Sequence, residues 1–311
     1  MTAFGSKEMG SAAIWRFDGS SWSRVFLAAD HRLPFNRFGS VLQIGNQFIV
    51  GTGVAHGKGR AALLVFEPSA DGLRYVGPIV PKEETADNIP CLLSIKGGVL
   101  FGLGSHFGRP RFPAFFQRDG GRVPLIFDDV AFSMPELQRG TYCMGRDQDA
   151  VYLGLCAKKP AFSGILRVPL SAFDNQGQVI ECEVEAVFDK DYVQSMTLYK
   201  GFLHATVNGF AKSLLGNHLI RSSVWKRNGG KWEPLIFEDI PKVFQEATNF
   251  NTIGCHDERL LVSSGARNRP GEGPIVGIWD VGGSDGAIRQ IAGGGVAASW
   301  TESDLRSAAE N

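Results

Sequence analysis

One weak unit recurs six times along this chain: a short strand carrying an apolar or aromatic residue, then a turn dipeptide, then a second strand. The copies are Ile14-Trp15-Arg16-Phe17-Asp18-Gly19, Leu63-Leu64-Val65-Phe66-Glu67-Pro68, Phe115-Phe116-Gln117-Arg118-Asp119-Gly120, Ile165-Leu166-Arg167-Val168-Pro169, Val224-Trp225-Lys226-Arg227-Asn228-Gly229 and Ile278-Trp279-Asp280-Val281-Gly282. Their landmarks Trp15, Leu64, Phe116, Leu166, Trp225 and Trp279 stand 49, 52, 50, 59 and 54 residues apart. A unit of roughly 40–50 residues made of strands and tight turns has the length of a β-propeller blade.

A second landmark keeps the same spacing. Strands ending in small residues recur at Phe48-Ile49-Val50-Gly51-Thr52, Val99-Leu100-Phe101-Gly102-Leu103, Val151-Tyr152-Leu153-Gly154-Leu155, Phe202-Leu203-His204-Ala205-Thr206 and Leu260-Leu261-Val262-Ser263-Ser264. Upstream of each lies another apolar strand and a turn, such as Gly45-Asn46 or Lys200-Gly201. Each repeat therefore reads as four strands, A to D, with Gly, Asn and Asp supplying the positive φ that tight hairpins need. The N-terminus offers only B (Ala3–Ser6), C (Ile14–Phe17) and D (Trp22–Phe26). After the last D strand, near Ala287–Ile291, Gly295–Trp300 is placed to supply the missing innermost strand and so remove an open sheet edge. The expectation is an all-β, six-bladed β-propeller with four-stranded blades, closed by N- and C-terminal strands in one blade. It forms one domain over residues 1–301 with a polar tail at 302–311. A five-bladed ring with a dangling N-terminal hairpin is the alternative. Helix signals are scarce; Pro135-Glu136-Leu137 is placed to start one helical turn.

Composition excludes several classes. Lys plus Arg equals Asp plus Glu at 32 each, so the chain lacks the field of a nucleic-acid binder. No stretch approaches the ~20 apolar residues of a membrane span. The N-terminus Met1-Thr2-Ala3-Phe4-Gly5-Ser6-Lys7-Glu8 has neither a basic nor an apolar targeting region, so the reading is cytoplasmic. Five cysteines without a C-x-x-C argue against a disulfide framework or a zinc ribbon and for free thiols buried in strands. No metal or cofactor is expected. The tryptophans Trp15, Trp22, Trp225, Trp232 and Trp279 recur at blade spacing and are read as core between blades.

The units resemble those of a prokaryotic family of propeller proteins with repeats of the form I-W-R-Y-D-G-x-x-W. Ile14-Trp15-Arg16-Phe17-Asp18-Gly19-Ser20-Ser21-Trp22 matches best, and Val224-Trp225-Lys226-Arg227-Asn228-Gly229-Gly230-Lys231-Trp232 next. The resemblance implies a fold and no particular activity. Trp279-Asp280 is a lone WD dipeptide without a partner Gly-His. Asp18-Gly19-x-x-Trp22 matches only half of a sialidase Asp-box.

In such a fold the D–A and B–C connections emerge on one face. Here they are long, while the C–D turns are short, so function is expected on the first face. His31, His56, His106 and His218 map there, with His204 in a strand and His256 in an A–B turn. His56 and His106 occupy similar places in adjacent repeats and are acid/base candidates, with Asp87 and Asp191 as carboxylate candidates. Residues entering strand A are candidate substrate contacts: Arg37, Asn88, Arg139, Tyr192, Gln194 and Asn251, with Trp300 from the closing strand. This set of guanidinium, amide and hydroxyl groups suits a hydroxylated or carboxylated small molecule. The expectation is an enzyme acting on a small polar substrate, such as a carbohydrate or a biosynthetic intermediate. A non-catalytic ligand-binding or protein-interaction scaffold is the alternative.

Overall fold

Leu63-Leu64-Val65-Phe66 has no polar side chain to turn toward water, and the fold covers both of its faces. In the computed structural model Leu64 and Phe66 pack with Phe26, Phe38, Val50 and Ala62. Leu63 packs on the other side with Ile49, Ile89, Val99 and Phe101. Apolar residues at a period of two on both faces belong to a sheet held between two others. The structure describes residues 2–3, 11–17, 22–54, 60–70, 72–79, 87–95, 98–104, 114–117, 121–123, 126–127, 140–156, 163–174, 179–188, 192–208, 222–235, 249–256, 258–265, 276–282 and 288–292.

The strands follow the repeat. They are β1 (Thr2–Ala3), β2 (Ala13–Phe17) and β3 (Trp22–Leu27), then β4 (Arg37–Ile44), β5 (Gln47–Gly53), β6 (Leu63–Ser69) and β7 (Gly72–Ile79). Next come β8 (Leu92–Ile95), β9 (Gly98–Phe101), β10 (Ala114–Gln117), β11 (Gly121–Val123) and the short β12 (Ile126–Phe127). The fourth repeat supplies β13 (Gly140–Arg146), β14 (Ala150–Cys156), β15 (Ser163–Pro169), the short β16 (Val179–Ile180) and β17 (Glu183–Phe188). The last two supply β18 (Tyr192–Tyr199), β19 (Phe202–Asn208), β20 (Ser223–Asn228) and β21 (Lys231–Pro234), then β22 (Asn249–His256), β23 (Arg259–Gly265), β24 (Val276–Asp280) and β25 (Arg289–Ala292).

The chain divides into two compact units, Met1–Met144 with Pro169–Cys182, and Gly145–Val168 with Glu183–Asn311. In the first, antiparallel sheets run β1-β2-β3, β4-β5-β6-β7 and β8-β9-β10-β11, and β12 pairs in parallel with β16. Strand β1 packs beside β4, and β4 beside β8. In the second unit β17-β15-β14 continues through one pair, Cys156↔Tyr192, into β18-β19-β20-β21, and β22-β23-β24-β25 forms a further sheet. There β18 packs beside β22, over a core of Tyr199, Val224, Phe250, Val262 and Trp279. The architecture is thus an all-β propeller of antiparallel, mostly four-stranded sheets, as the repeat predicts. The first sheet holds three strands among the described residues; Gly295–Trp300 and Pro135-Glu136-Leu137 lie outside them.

The hairpins use the turn chemistry the sequence announces. Lys200 (φ 48°) and Gly201 (φ 79°) join β18 to β19, and Gly229 (φ 55°) and Gly230 (φ 84°) join β20 to β21. Two successive positive-φ residues match the right-handed twist of the flanking strands. Two 3₁₀ turns, Ala28–His31 and Leu170–Phe173, carry no sequence signal strong enough to predict them. Cys91, Cys143 and Cys182 are buried and outside any disulfide, whereas Cys255 is exposed rather than buried.

The reading of all five tryptophans as core needs correction. Trp279 is buried, but Trp225 and Trp232 are only half-buried. Trp232 donates its indole N–H to Glu185 Oε2 at 2.8 Å, and Trp225 meets the Phe188 ring edge-on at 4.9 Å. Glu185 reaches this place because β15–β17 register slips there: Ile165 faces Ala186, Leu166 faces Val184, and Glu185 is the extra residue. A bulge of this kind re-aims its side chain. Arg227 donates from Nε and Nη2 to Glu185 Oε1 at 2.9 and 2.7 Å and stacks over the Tyr152 ring at 4.8 Å. The Tyr152 hydroxyl donates to Asp147 Oδ2 at 2.7 Å. Burial pushes the Asp147 carboxyl up. The bonds from Tyr152 and from the Asp149 and Ala150 amides, with the Arg227 charge, outweigh it and hold the group below its ordinary range.

The Glu185 carboxylate is 7% exposed, so removing its charge leaves Arg227 poorly compensated. Glu185→Gln is expected to lower the free energy of unfolding by roughly 3 kcal/mol. Glu183→Gln, at an exposed pair with Arg167, should cost less than about 1 kcal/mol. Urea unfolding at neutral pH compares the two. Equal losses would refute the clamp.

Candidate functional site

The strand-ending small residues have a structural use. Arg37 opens β4 opposite Gly53, the last residue of β5. Antiparallel bridges then continue from Gly53 to Asn88, from Asn88 to Gly104 and from Gly104 to Gly140. Backbone bonds hold this ladder: Asn36 N–H to Gly53 O (3.1 Å), Val54 N–H to Asp87 O (2.9 Å), Ile89 N–H to Thr52 O (2.8 Å), Gly104 N–H to Asn88 O (2.9 Å) and Thr141 N–H to Leu103 O (3.3 Å). Directly opposed residues on paired strands project to the same face. Arg37, Gly53, Asn88, Gly104 and Gly140 therefore share one face, and only Arg37 and Asn88 put side chains on it.

Gly53 lets the Arg37 side chain lie down, whereas Gly104 leaves ordinary contact room beside Asn88. A methyl group at Gly53 would sit 2.3 Å from Arg37 Nε, and one at Gly104 would sit 3.4 Å from Asn88 Nδ2. Gly140 has φ +149°, and a Cβ there would meet Leu103 O at 2.7 Å, so no other residue fits. The Arg37 guanidinium thus covers Gly53, the position between Arg37 and Asn88. Its Nε and Nη2 are buried without a hydrogen-bond partner among the described residues, as is Asn36 Oδ1 beside it. Asp87 and Asn88 are 6% and 5% exposed.

Three of the sequence-predicted site residues, Arg37, Asp87 and Asn88, are at this ladder. Arg37 and Asn88 are on it, and Asp87 adjoins it. Arg139 immediately precedes Gly140, and His56 and His106 lie on the connections that leave at Val54 and Gly104, on either side of Asn88 in the ladder. Those last three residues lie outside the described ones; the departure points do not. The root of the His56 connection is pinned: Thr52 Oγ1 donates to Ala62 O (2.9 Å) and accepts from Ala62 N–H (2.8 Å).

In the other unit, Tyr192 opens β18 opposite Asn208 and is half-buried. Gln194 is the extra residue where Val193 faces Val207 and Ser195 faces Thr206. Asn251 is the extra residue where Phe250 faces Ser264 and Thr252 faces Ser263. Gly39 holds the same place in β4. Two candidate contacts thus sit at the same bulge of an innermost strand. Nearby, Asn208 exchanges two 3.0 Å bonds with the Phe250 backbone. Asp191 and Trp300 lie outside the described residues.

Three other histidines are described. His31 ends a 3₁₀ turn and stacks on Phe26 at 4.9 Å. His256 ends β22 rather than standing in a turn. His204 is 4% exposed, with Nδ1 3.0 Å from Phe202 O. What sequence reading missed is the role of Gly53, Gly104 and Gly140. Their signal was present as the recurring small residues at strand ends.

No protein-family model matches the sequence, and no curated protein does. Solved structures are similar in fold. A candidate 6-phosphogluconolactonase from Bacteroides fragilis aligns with TM-score 0.53 at 11% identity, over 94% of this chain and 80% of that one. A hypothetical selenium-binding protein from Sulfolobus tokodaii aligns with TM-score 0.56 at 9% identity, over 90% and 71%. An exo-β-1,3-galactanase from Phanerochaete chrysosporium aligns with TM-score 0.47 at 10% identity, over 83% and 66%. At these identities the likeness to the first two is one of fold.

Burial, the larger cause, and the Lys226 charge hold the His204 imidazole below its ordinary value of 6.5, against the Phe202 carbonyl. As pH falls below about 6.5 the unfolded chain gains a proton that native His204 refuses, so stability is lost toward acid. The urea midpoint should drop between about pH 7.5 and 5.5, and His204→Asn should flatten that slope. An unchanged slope would remove His204 as its source.

Proposed function

We propose that the protein is a six-bladed propeller enzyme acting on a small polar substrate, a carbohydrate or a biosynthetic intermediate. Its site lies where the A strands of the first unit begin and the B strands end. The observation that carries this reading is the ladder Arg37–Gly53–Asn88–Gly104–Gly140. It sets a guanidinium with two unpartnered donors beside an amide on a face otherwise lined by glycine. Such a face offers directional donors and acceptors with little steric bulk, which suits a molecule rich in oxygen. Arg37, Asn88 and Arg139 orient the substrate; His56 and His106 act as acid and base, with Asp87 at their base. The fold's likeness to a candidate phosphosugar lactonase is compatible with this substrate class and does not specify the reaction.

The test is a turnover screen over glycosides, sugar lactones and sugar acids, followed by variants. Replacing both His56 and His106 by Ala should cut turnover by about 10²-fold or more while ligand binding, followed by thermal shift, survives. Arg37→Met should lose binding. Full turnover in the double histidine variant would remove acid/base chemistry from these residues. Binding without any turnover would favour a non-catalytic ligand-binding protein.

A further inference from the structure

The Arg37 side chain offers a particular shape as well as a charge. Nε–H and Nη2–H leave the planar guanidinium along the same edge, parallel to one another, and these are its two buried nitrogens, both without a partner among the described residues. Two parallel N–H donors match two oxygens of one planar acceptor, the bidentate fork. A buried charged donor without an acceptor is costly, so an unfilled pair on one edge is best explained by an acceptor that arrives with the ligand. Resting on the site proposed above, we infer that the anchoring group of the ligand is a carboxylate on a small hydroxylated molecule, a sugar acid or a hydroxy acid. It seats on the Nε–Nη2 edge of Arg37 as that side chain lifts from Gly53.

The shape of the fork separates a carboxylate from a neutral sugar. A neutral sugar would leave the fork without its matching pair of oxygens. The Asn88 carboxamide, beyond Gly53 on the same face, is placed to take hydroxyl groups on the same molecule.

Gly53 supplies a way to move Arg37 without replacing it. It is not among the residues with positive φ, so its backbone accepts alanine. The new methyl would press on the flexible Nε, Cγ and Cδ of Arg37 and displace the fork.

The experiment uses the full chain with D-gluconate, D-glucose and D-glucose 6-phosphate as probes. Titration calorimetry is combined with the NMR signal of the Arg37 Nε–Hε pair, assigned by its loss in Arg37→Lys. Gluconate should bind best and shift the Nε–Hε resonance. Arg37→Lys and Gly53→Ala should each weaken gluconate at least about tenfold and leave any glucose binding unchanged. Two results overturn the carboxylate assignment but keep the site: glucose or glucose 6-phosphate binding as tightly as gluconate with loss in Asn88→Ala, or gluconate binding indifferent to Arg37→Lys but lost in Asn88→Ala. If no probe, nor a wider set of sugar acids, binds or moves the Arg37 resonance, the site and the assignment fail together.

Discussion

A sheet that is apolar on both faces cannot stand alone in water. Leu64 and Phe66 need one neighbouring sheet and Leu63 and Ile49 need another, and burying side chains of this size stabilises by about 1.5–3 kcal/mol each. This mutual covering makes the repeat obligatory, because each sheet supplies the cover that its neighbour lacks. In the first unit the ends of these sheets, where strands begin and stop, are where the backbone still has bonds to make.

The ladder from Arg37 to Gly140 is a direct product of those bonds. Where one sheet's second strand ends, its last backbone groups pair with the chain entering the next sheet, as Val54 and Thr52 do with Asp87 and Ile89. Close approach of this kind demands small residues, and a face of small residues leaves room for the two longer side chains that remain. The proposed binding positions and the sheet stitching therefore coincide. A methyl group at Gly53 would press on the Arg37 side chain, and that flexible side chain is the member best able to move alone.

The Glu185 clamp follows a different logic at the outer strands. A one-residue slip in β17 turns an acidic side chain toward Arg227 and Trp232 of the following sheet. Trp232 is the last residue of the repeat motif, and its indole N–H gives that motif a polar task in addition to a packing one. A half-buried Trp at a strand edge with one bonded tip is a common compromise for this side chain. Hydrophobic periodicity alone does not distinguish it from a core Trp, which is why Trp225 and Trp232 were read as core.

By itself the sequence determined the all-β class and the hairpins at Lys200-Gly201 and Gly229-Gly230. These depend on contacts between residues a few positions apart, so local pattern and turn chemistry suffice. It also pointed to Arg37, Asp87 and Asn88, because polar residues at strand entries stand out against apolar strands. Only the tertiary structure decided that Arg37 lies over Gly53, that Asn88 links Gly53 to Gly104, that Gln194 and Asn251 share a bulge position, and that Glu185 grips Arg227. Those partners are tens of residues apart and meet only because sheets stack at a fixed spacing, a distance that no local pattern encodes.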